Sequence, residues 1–251
     1  HEAAFEGELL LEGVARRGVH RLAGAHQRLG RHGGELCGER IHLGRELGVV
    51  VRGPDQAPVG GLLGRQLVGQ EAKRGVISME GAYHGDTFGT MAVGERSEFH
   101  RRFNPWLFAA QTFPAPVHSE CAGQVARSDA SASLAALKTI LERDAATTAC
   151  LILEPIVQGA AGMVQQPAGF VKTVAALCRQ YGVHLILDEV FTGFGRVGAL
   201  TAAETEGVVP DFLCLAKGLA AGYLPLAATL APRGASRPPA ITTLSSAMVP
   251  R

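Results

Sequence analysis

The stretch 182–225, GVHLILDEVFTGFGRVGALTAAETEGVVPDFLCLAKGLAAGYLP, holds two short apolar runs, each closed by one charged residue. Val183–Leu187 ends at Asp188, and Phe212–Ala216 ends at Lys217. Runs of this length, rich in Val, Ile and Leu and bounded by Gly or Asp, read as strands covered on both faces. Ligands in open α/β sheets collect where such strands end. The pattern therefore aims a carboxylate and an amine at one edge of one sheet.

The chain has only four lysines, and Lys217 alone stands in an apolar and glycine setting, LCLAKGLAAG. An amine taken out of water has its charged form disfavoured, and the neutral amine is a nucleophile toward a carbonyl. Pyridoxal phosphate requires such a lysine, plus an acid that keeps its pyridine nitrogen protonated. Asp188 is placed to be that acid. Singly, each residue also reads as a snorkelling strand-end lysine or a solvated strand-end aspartate.

DEVFTGFGRVG at 188–198, followed by PDFLCLAKGLAAGYLPLAATL at 210–230, resembles the class III aminotransferases of fold type I. Two upstream blocks agree in order and spacing, GAYHGDTFGTMAVG at 81–94 and LEPIVQGAAGMVQQPAGF at 153–170. The resemblance covers about residues 74–230. It implies an α/β fold: a cofactor-binding large domain, truncated, with a mostly parallel sheet and helices on both faces. It also implies pyridoxal 5'-phosphate as cofactor, with Lys217 as the catalytic residue that holds it. Asp188 would face the ring nitrogen, and Tyr83 would stack on the ring and border the substrate. Val190 would pack on the opposite ring face.

Within the family the resemblance is closest to the branch that serves biotin synthesis. There the amino group passes from S-adenosylmethionine to 8-amino-7-oxononanoate. Another class III transaminase, acting on ω-amino acids, is the alternative, and a non-catalytic fragment is a third reading. The partners implied are small-molecule substrates and a second copy in a homodimer.

Composition narrows the classes. With 24 basic against 23 acidic residues, nothing argues for nucleic acid or an anionic membrane. No apolar run approaches bilayer length, and no secretory signal is visible at the start. Apolar residues make up 47% of the chain, enough for a sizeable core. The five cysteines show no CxxC spacing, which suggests a reducing, cytoplasmic setting. His20, His26, His32 and His42 lack metal-ligand spacing, so no metal site is expected.

Residues 1–73 stand apart. They contain no Ser, Thr, Asn, Tyr or Trp, and their recurring glycines weaken any helix by about 1 kcal/mol each. The sequence opens on His1 rather than methionine. The expectation is an out-of-frame or otherwise altered reading with no confident fold. The family's Gly-Ser or Gly-Thr turn, whose amides would hold the cofactor phosphate, has no counterpart here. Gly60, Gly61 and Gly64 lack a hydroxyl neighbour. Residues 231–251 read as an irregular tail with four prolines.

Between these ends, VISM from Val76 and Ala149–Leu153 read as further strands, the latter ending at Glu154. Glu154 and Gln158 receive no catalytic role. Asp86 or Thr87 is expected to cap a helix Phe88–Val93, and Ser131 or Ser133 a helix bearing Leu134, Leu137 and Leu141. A third helix opens after Pro167 and ends at Gly182. Trp106, beside Phe103 and Phe108, reads as core. Gly193-Phe-Gly195-Arg-Val-Gly198 fits GxGxxG, but Glu189–Thr192 separate it from the strand, which argues against a dinucleotide site. Arg196 is expected to pair with Glu189, and Asp211 to be a turn residue.

Overall fold

The computed structural model describes residues 47–51, 69–98, 100–118, 128–223 and 227–232. In chain order its strands are β1 (Leu47–Val51), β2 (Gly75–Met79), β3 (Gln111–Phe113), β4 (Val117–His118), β5 (Ser128–Asp129), β6 (Thr148–Leu153), β7 (Val157–Gln158), β8 (Val164–Gln165), β9 (His184–Asp188), β10 (Phe212–Leu215) and β11 (Ala228–Pro232). The helices are α1 (Phe88–Val93), α2 (Ser131–Asp144), α3 (Phe170–Gln180), α4 (Ala202–Glu206) and α5 (Lys217–Ala220).

Among the described residues, seven strands form one sheet in the order β3-β2-β6-β9-β10-β11-β1. The first five run parallel, and β11 and β1 close the far edge antiparallel. The continuous apolar runs follow from cover on both faces. Leu151, Leu153, Leu185, Leu187, Leu213 and Leu215 point to one side, where they meet Leu137 and Leu141 of α2 and Phe170, Val174 and Cys178 of α3. The alternate residues Cys150, Ile152, Ile186 and Cys214 point to the other side, with Val93 of α1. Each fully buried leucine or isoleucine contributes about 1.5–3 kcal/mol. The architecture is the expected α/β sheet with helices on both faces.

Local signals explain the helix limits. Gly182, at φ 62°, turns the chain out of α3 and straight into β9. Thr87 caps α1, its N–H donating to the Thr90 hydroxyl at 3.0 Å. The cap of α2 is neither serine. Asp129 Oδ1 accepts the Ser131 N–H at 2.8 Å, whereas the Ser133 hydroxyl donates to the Pro114 carbonyl at 2.7 Å.

One expectation is corrected here. Trp106 is not core: it is 71% exposed and makes edge contacts with Phe88 and Phe103. Within residues 1–73, the segment read with no confident fold, β1 pairs with β11 from Leu47 to Val51. The same segment supplies Lys73, whose ammonium donates to the carbonyls of Ala145, Thr148 and Gly182 at 2.7, 3.1 and 3.1 Å. That lysine ties the end of α2 and the end of α3 to the start of β6. The expectations for residues 1–46, Gly60, Gly61, Gly64 and 233–251 lie outside the described residues.

Candidate active site

Neighbouring parallel strands β2, β6, β9 and β10 end at one edge. From β2 the chain goes to β3 on one side, and later to β6 on the other. Such a switch point opens a crevice at the carboxyl ends of the strands. Four loops or strand ends meet there: Tyr83–His84 after β2, Glu154 after β6, Asp188 at the end of β9, and Lys217 just past β10. The register puts Leu153 beside Leu187 and Asp188 beside Cys214. Glu154 and Asp188 thus stand one step past the same rung, and Lys217 follows three residues after the Asp188–Cys214 pair.

Asp188 is buried and held at both oxygens. Oδ2 lies 2.7 Å from His84 Nδ1, and Oδ1 accepts the Val190 N–H at 3.1 Å. An ionised carboxylate only accepts, so this contact sets the proton on His84 Nδ1. His84 Nε2 is buried with no hydrogen-bond partner. His84 is the residue that the sequence reading missed. The available signal was a histidine beside the singled-out tyrosine, between glycines.

Tyr83 is 40% exposed. Its hydroxyl donates to Asp86 Oδ2 at 2.9 Å, and its ring lies nearly parallel to His100, with centres 6.3 Å apart. His100 Nε2 in turn contacts Asp86 Oδ1 at 3.1 Å. Glu154 is buried, accepting the Tyr83 N–H at 3.1 Å and the Gly159 N–H at 3.0 Å. Burial pushes its carboxyl up, against the pull of His84 and of the two N–H groups.

Lys217 opens α5 with its ammonium 5.5 Å from the centre of the Phe191 ring. The expected withdrawal of this amine from water is not observed, since Lys217 is exposed among the described residues. Its apolar neighbours Leu215 and Leu219 turn into the core, and the lysine between them turns out. Arg196 does not pair with Glu189: its guanidinium lies 4.8 Å over the same Phe191 ring. Glu189 instead accepts the N–H groups of Ala202 and Ala203 at 2.7 and 2.8 Å, anchoring the start of α4. Gly193–Gly198 lie in turns between β9 and α4, not at a strand-to-helix junction. Asp211 is more than a turn residue: it contacts His184 Nδ1 at 3.1 Å and accepts the Leu185 N–H at 2.8 Å.

Two expected outcomes arise from this geometry. A Cβ on Gly218 would sit 2.7 Å from Phe194 Cβ. Gly218→Ala is therefore expected to push the Lys217 turn off Phe194 and cost about 1–3 kcal/mol in urea unfolding. The second concerns Glu189, whose carboxyl burial pushes up from 4.5 to about 7. A raised folded-state value means that the protonated form stabilises the fold. That contribution is full below about pH 4.5 and is lost as pH rises through about 7. Unfolding free energy is expected to fall by about 3 kcal/mol over that window, and Glu189→Gln is expected to flatten the fall.

A sequence model of the family "Aminotransferase class-III" matches residues 63–243. The chain belongs to the class-III aminotransferases. Curated class-III relatives include adenosylmethionine-8-amino-7-oxononanoate aminotransferases. The one from Geobacter sulfurreducens is 46% identical over 167 residues, 65% of this chain and 36% of the relative. The one from Nitratidesulfovibrio vulgaris is 42% identical over 163 residues, 64% and 30% of the two chains. This chain thus spans about a third of the length of those relatives. Among solved structures, the Methanocaldococcus jannaschii enzyme of that name matches with TM-score 0.65 and 35% identity, over 75% of this chain and 42% of that one. An omega transaminase from Pseudomonas jessenii, in complex with PMP, matches with TM-score 0.66 and 28% identity, over 75% and 43%.

Proposed function

We propose that this chain carries the cofactor-binding centre of a pyridoxal-phosphate-dependent aminotransferase. Its reaction moves an amino group from S-adenosylmethionine to 8-amino-7-oxononanoate, giving 7,8-diaminononanoate for biotin synthesis. The observation that carries the reading is the placement of Asp188 and Lys217 at the ends of adjacent parallel strands, on one edge of the sheet. The names of the relatives support the choice of substrates.

The residues present fit the ring end of the cofactor. The Asp188 carboxylate is fixed at both oxygens, so it cannot turn away from a ring nitrogen. His84, in contact with Asp188, keeps its Nε2 buried without a hydrogen-bond partner, a polar atom open to a ligand group at this edge. Pyridoxal phosphate, when bound, supplies an electrophilic aldehyde and a ring that accepts electrons. Lys217 would hold that aldehyde carbon. The free Lys217 amine would act as the base that takes the proton from the substrate's α-carbon. Asp188 would keep a proton on the ring nitrogen, and His84 would hold Asp188 in place. Tyr83, braced by Asp86, would form one wall and Val190 the other.

The setting we read is a cytoplasmic homodimer. Among the described residues no helix is long and apolar enough to cross a membrane. The thiols of Cys150, Cys178 and Cys214 are buried, and burial pushes Cys178 up to about 12. A second reading, transamination of ω-amino acids, is favoured by the Pseudomonas jessenii omega transaminase likeness. The two separate in one assay, in which the protein and pyridoxal phosphate are given S-adenosylmethionine with 8-amino-7-oxononanoate, or an ω-amino acid with pyruvate. Formation of 7,8-diaminononanoate, read by mass, is expected. Turnover of the ω-amino acid alone would overturn the substrate assignment, and turnover of neither pair would overturn the reaction class.

A further inference from the structure

Glu154 is a carboxylate at the heart of this edge for which the proposed reaction has no step. We propose that it is a positioning residue, fixing the loop that bears Tyr83 to the Gly159 turn that packs against Phe191, the ring beneath Lys217. The inference rests on the aminotransferase reading.

Its two oxygens serve two different loops. Oε1 takes the Tyr83 N–H, 71 positions away, and Oε2 takes the Gly159 N–H, five positions away. Gly159 lies flat against Phe191, where a Cβ would come within 3.3 Å of the ring. Phe191 is the ring under the Lys217 ammonium. One side chain therefore links the Tyr83 wall to the floor beneath the lysine. Two N–H donors pointing into a buried site need two acceptor oxygens. A carboxylate has them, and an amide has only one.

The backbone behind Glu154 is held as if its place mattered. Ile156, a β-branched residue, sits at φ 67°, a left-handed conformation that costs about 1–3 kcal/mol. Gln166, also buried, keeps it there. Its side-chain amide donates to the Glu154 carbonyl at 2.6 Å and its side-chain oxygen accepts the Ile156 N–H at 2.9 Å. Its own backbone N–H donates to the Ile156 carbonyl at 2.8 Å. These three bonds pin the turn that points Glu154 at both loops. The charged and titratable groups felt by Glu154 are His84 and Asp188, from the loop after β2 and from the end of β9.

The test compares wild type, Glu154→Gln and Lys217→Ala in the full chain. Without cofactor, hydrogen exchange of the Tyr83 or Gly159 amide is expected to rise about tenfold in Glu154→Gln, with Leu151 and Leu187 amides unchanged. With pyridoxal phosphate, a visible absorbance band that requires Lys217 is expected in both wild type and Glu154→Gln. Its circular dichroism is expected to fall about two-fold in Glu154→Gln, because the ring walls shift. With substrates, kcat is expected to fall about tenfold at nearly constant KM. If Glu154→Gln does not fold, Gln166→Met, which loosens the turn but leaves the carboxylate, is expected to change the same readouts in the same direction.

Wild-type amide protection together with wild-type dichroism would overturn the inference. So would a raised KM at unchanged kcat. If wild type itself gives no Lys217-dependent band, the aminotransferase reading fails and the positioning role falls with it. The exchange data then still say whether the two loops are tied.

Discussion

Lys217→Ala is expected to remove the visible absorbance band formed with pyridoxal phosphate and to lower amino transfer by about 10⁴-fold or more. No other lysine stands ready to substitute. Lys73 is committed to three backbone carbonyls on the far side of the sheet. Lys138 lies on α2, paired with Glu142 at 3.7 Å, and Lys172 lies on α3. Both helices pack on a sheet face, away from the rim. The loss is not expected to come from unfolding. Lys217 is exposed, and removing an exposed side chain away from packing usually changes stability by about 0.5 kcal/mol or less. Lys217→Arg separates the roles, since arginine keeps the charge near Phe191 but not a nucleophilic amine. It is expected to fail as fully as alanine. A titration followed by absorbance, beside a single-turnover assay, checks both. A band that survives in Lys217→Ala would place the reactive amine elsewhere and remove the basis of the proposed function.

The sheet was legible because β6, β9 and β10 are covered on both faces, which leaves apolar runs with no polar break. The charged residues that end them then mark the rim, and Asp188 and Lys217 were found that way. Contacts that join distant positions were not legible. Asp188 and His84 are 104 positions apart, and Glu154 and Tyr83 are 71 apart. No local pattern announces such a bond, although each residue type was visible.

Three local readings went astray for physical reasons. The apolar setting of Lys217 reports the burial of Leu215 and Leu219 and says nothing about the lysine between them. Glu189 and Arg196 looked like an ion pair, but the first N–H groups of α4 lack helical partners and take both carboxylate oxygens. The aromatic run around Trp106 read as core, yet a 3-10 turn at Asn104–Trp106 exposes the indole and leaves only edge contacts. β1 is a different case. LGVVV is a fair strand sequence, but the glycine and arginine around it hid the signal.

Asp188→Asn is expected to lower amino transfer by about 10²–10³-fold and unfolding free energy by about 1–3 kcal/mol. Asparagine matches aspartate in shape, so the change isolates charge and acceptor count. The carboxylate now meets two donors, His84 Nδ1–H and Val190 N–H. The amide has one acceptor oxygen, and its NH₂ must face whichever donor the oxygen does not serve. If the oxygen stays on Val190, the NH₂ faces His84 and forces the imidazole to move its proton to Nε2, an atom that is buried without a partner. If the oxygen turns to His84, the Val190 N–H loses its bond, and Val190 is one of the proposed walls. Either way a buried donor is left unmatched. The catalytic loss has a separate origin, because a neutral amide cannot hold a proton on a pyridine nitrogen. Assays at a temperature where both proteins are fully folded separate the two effects. A merely structural Asp188 would give a lowered melting temperature with kcat intact, and that result would take the carboxylate out of the proposed mechanism. Asp188→Glu, which keeps the charge but overreaches by one methylene, is expected to recover part of the rate, as an electrostatic role requires and a packing role does not.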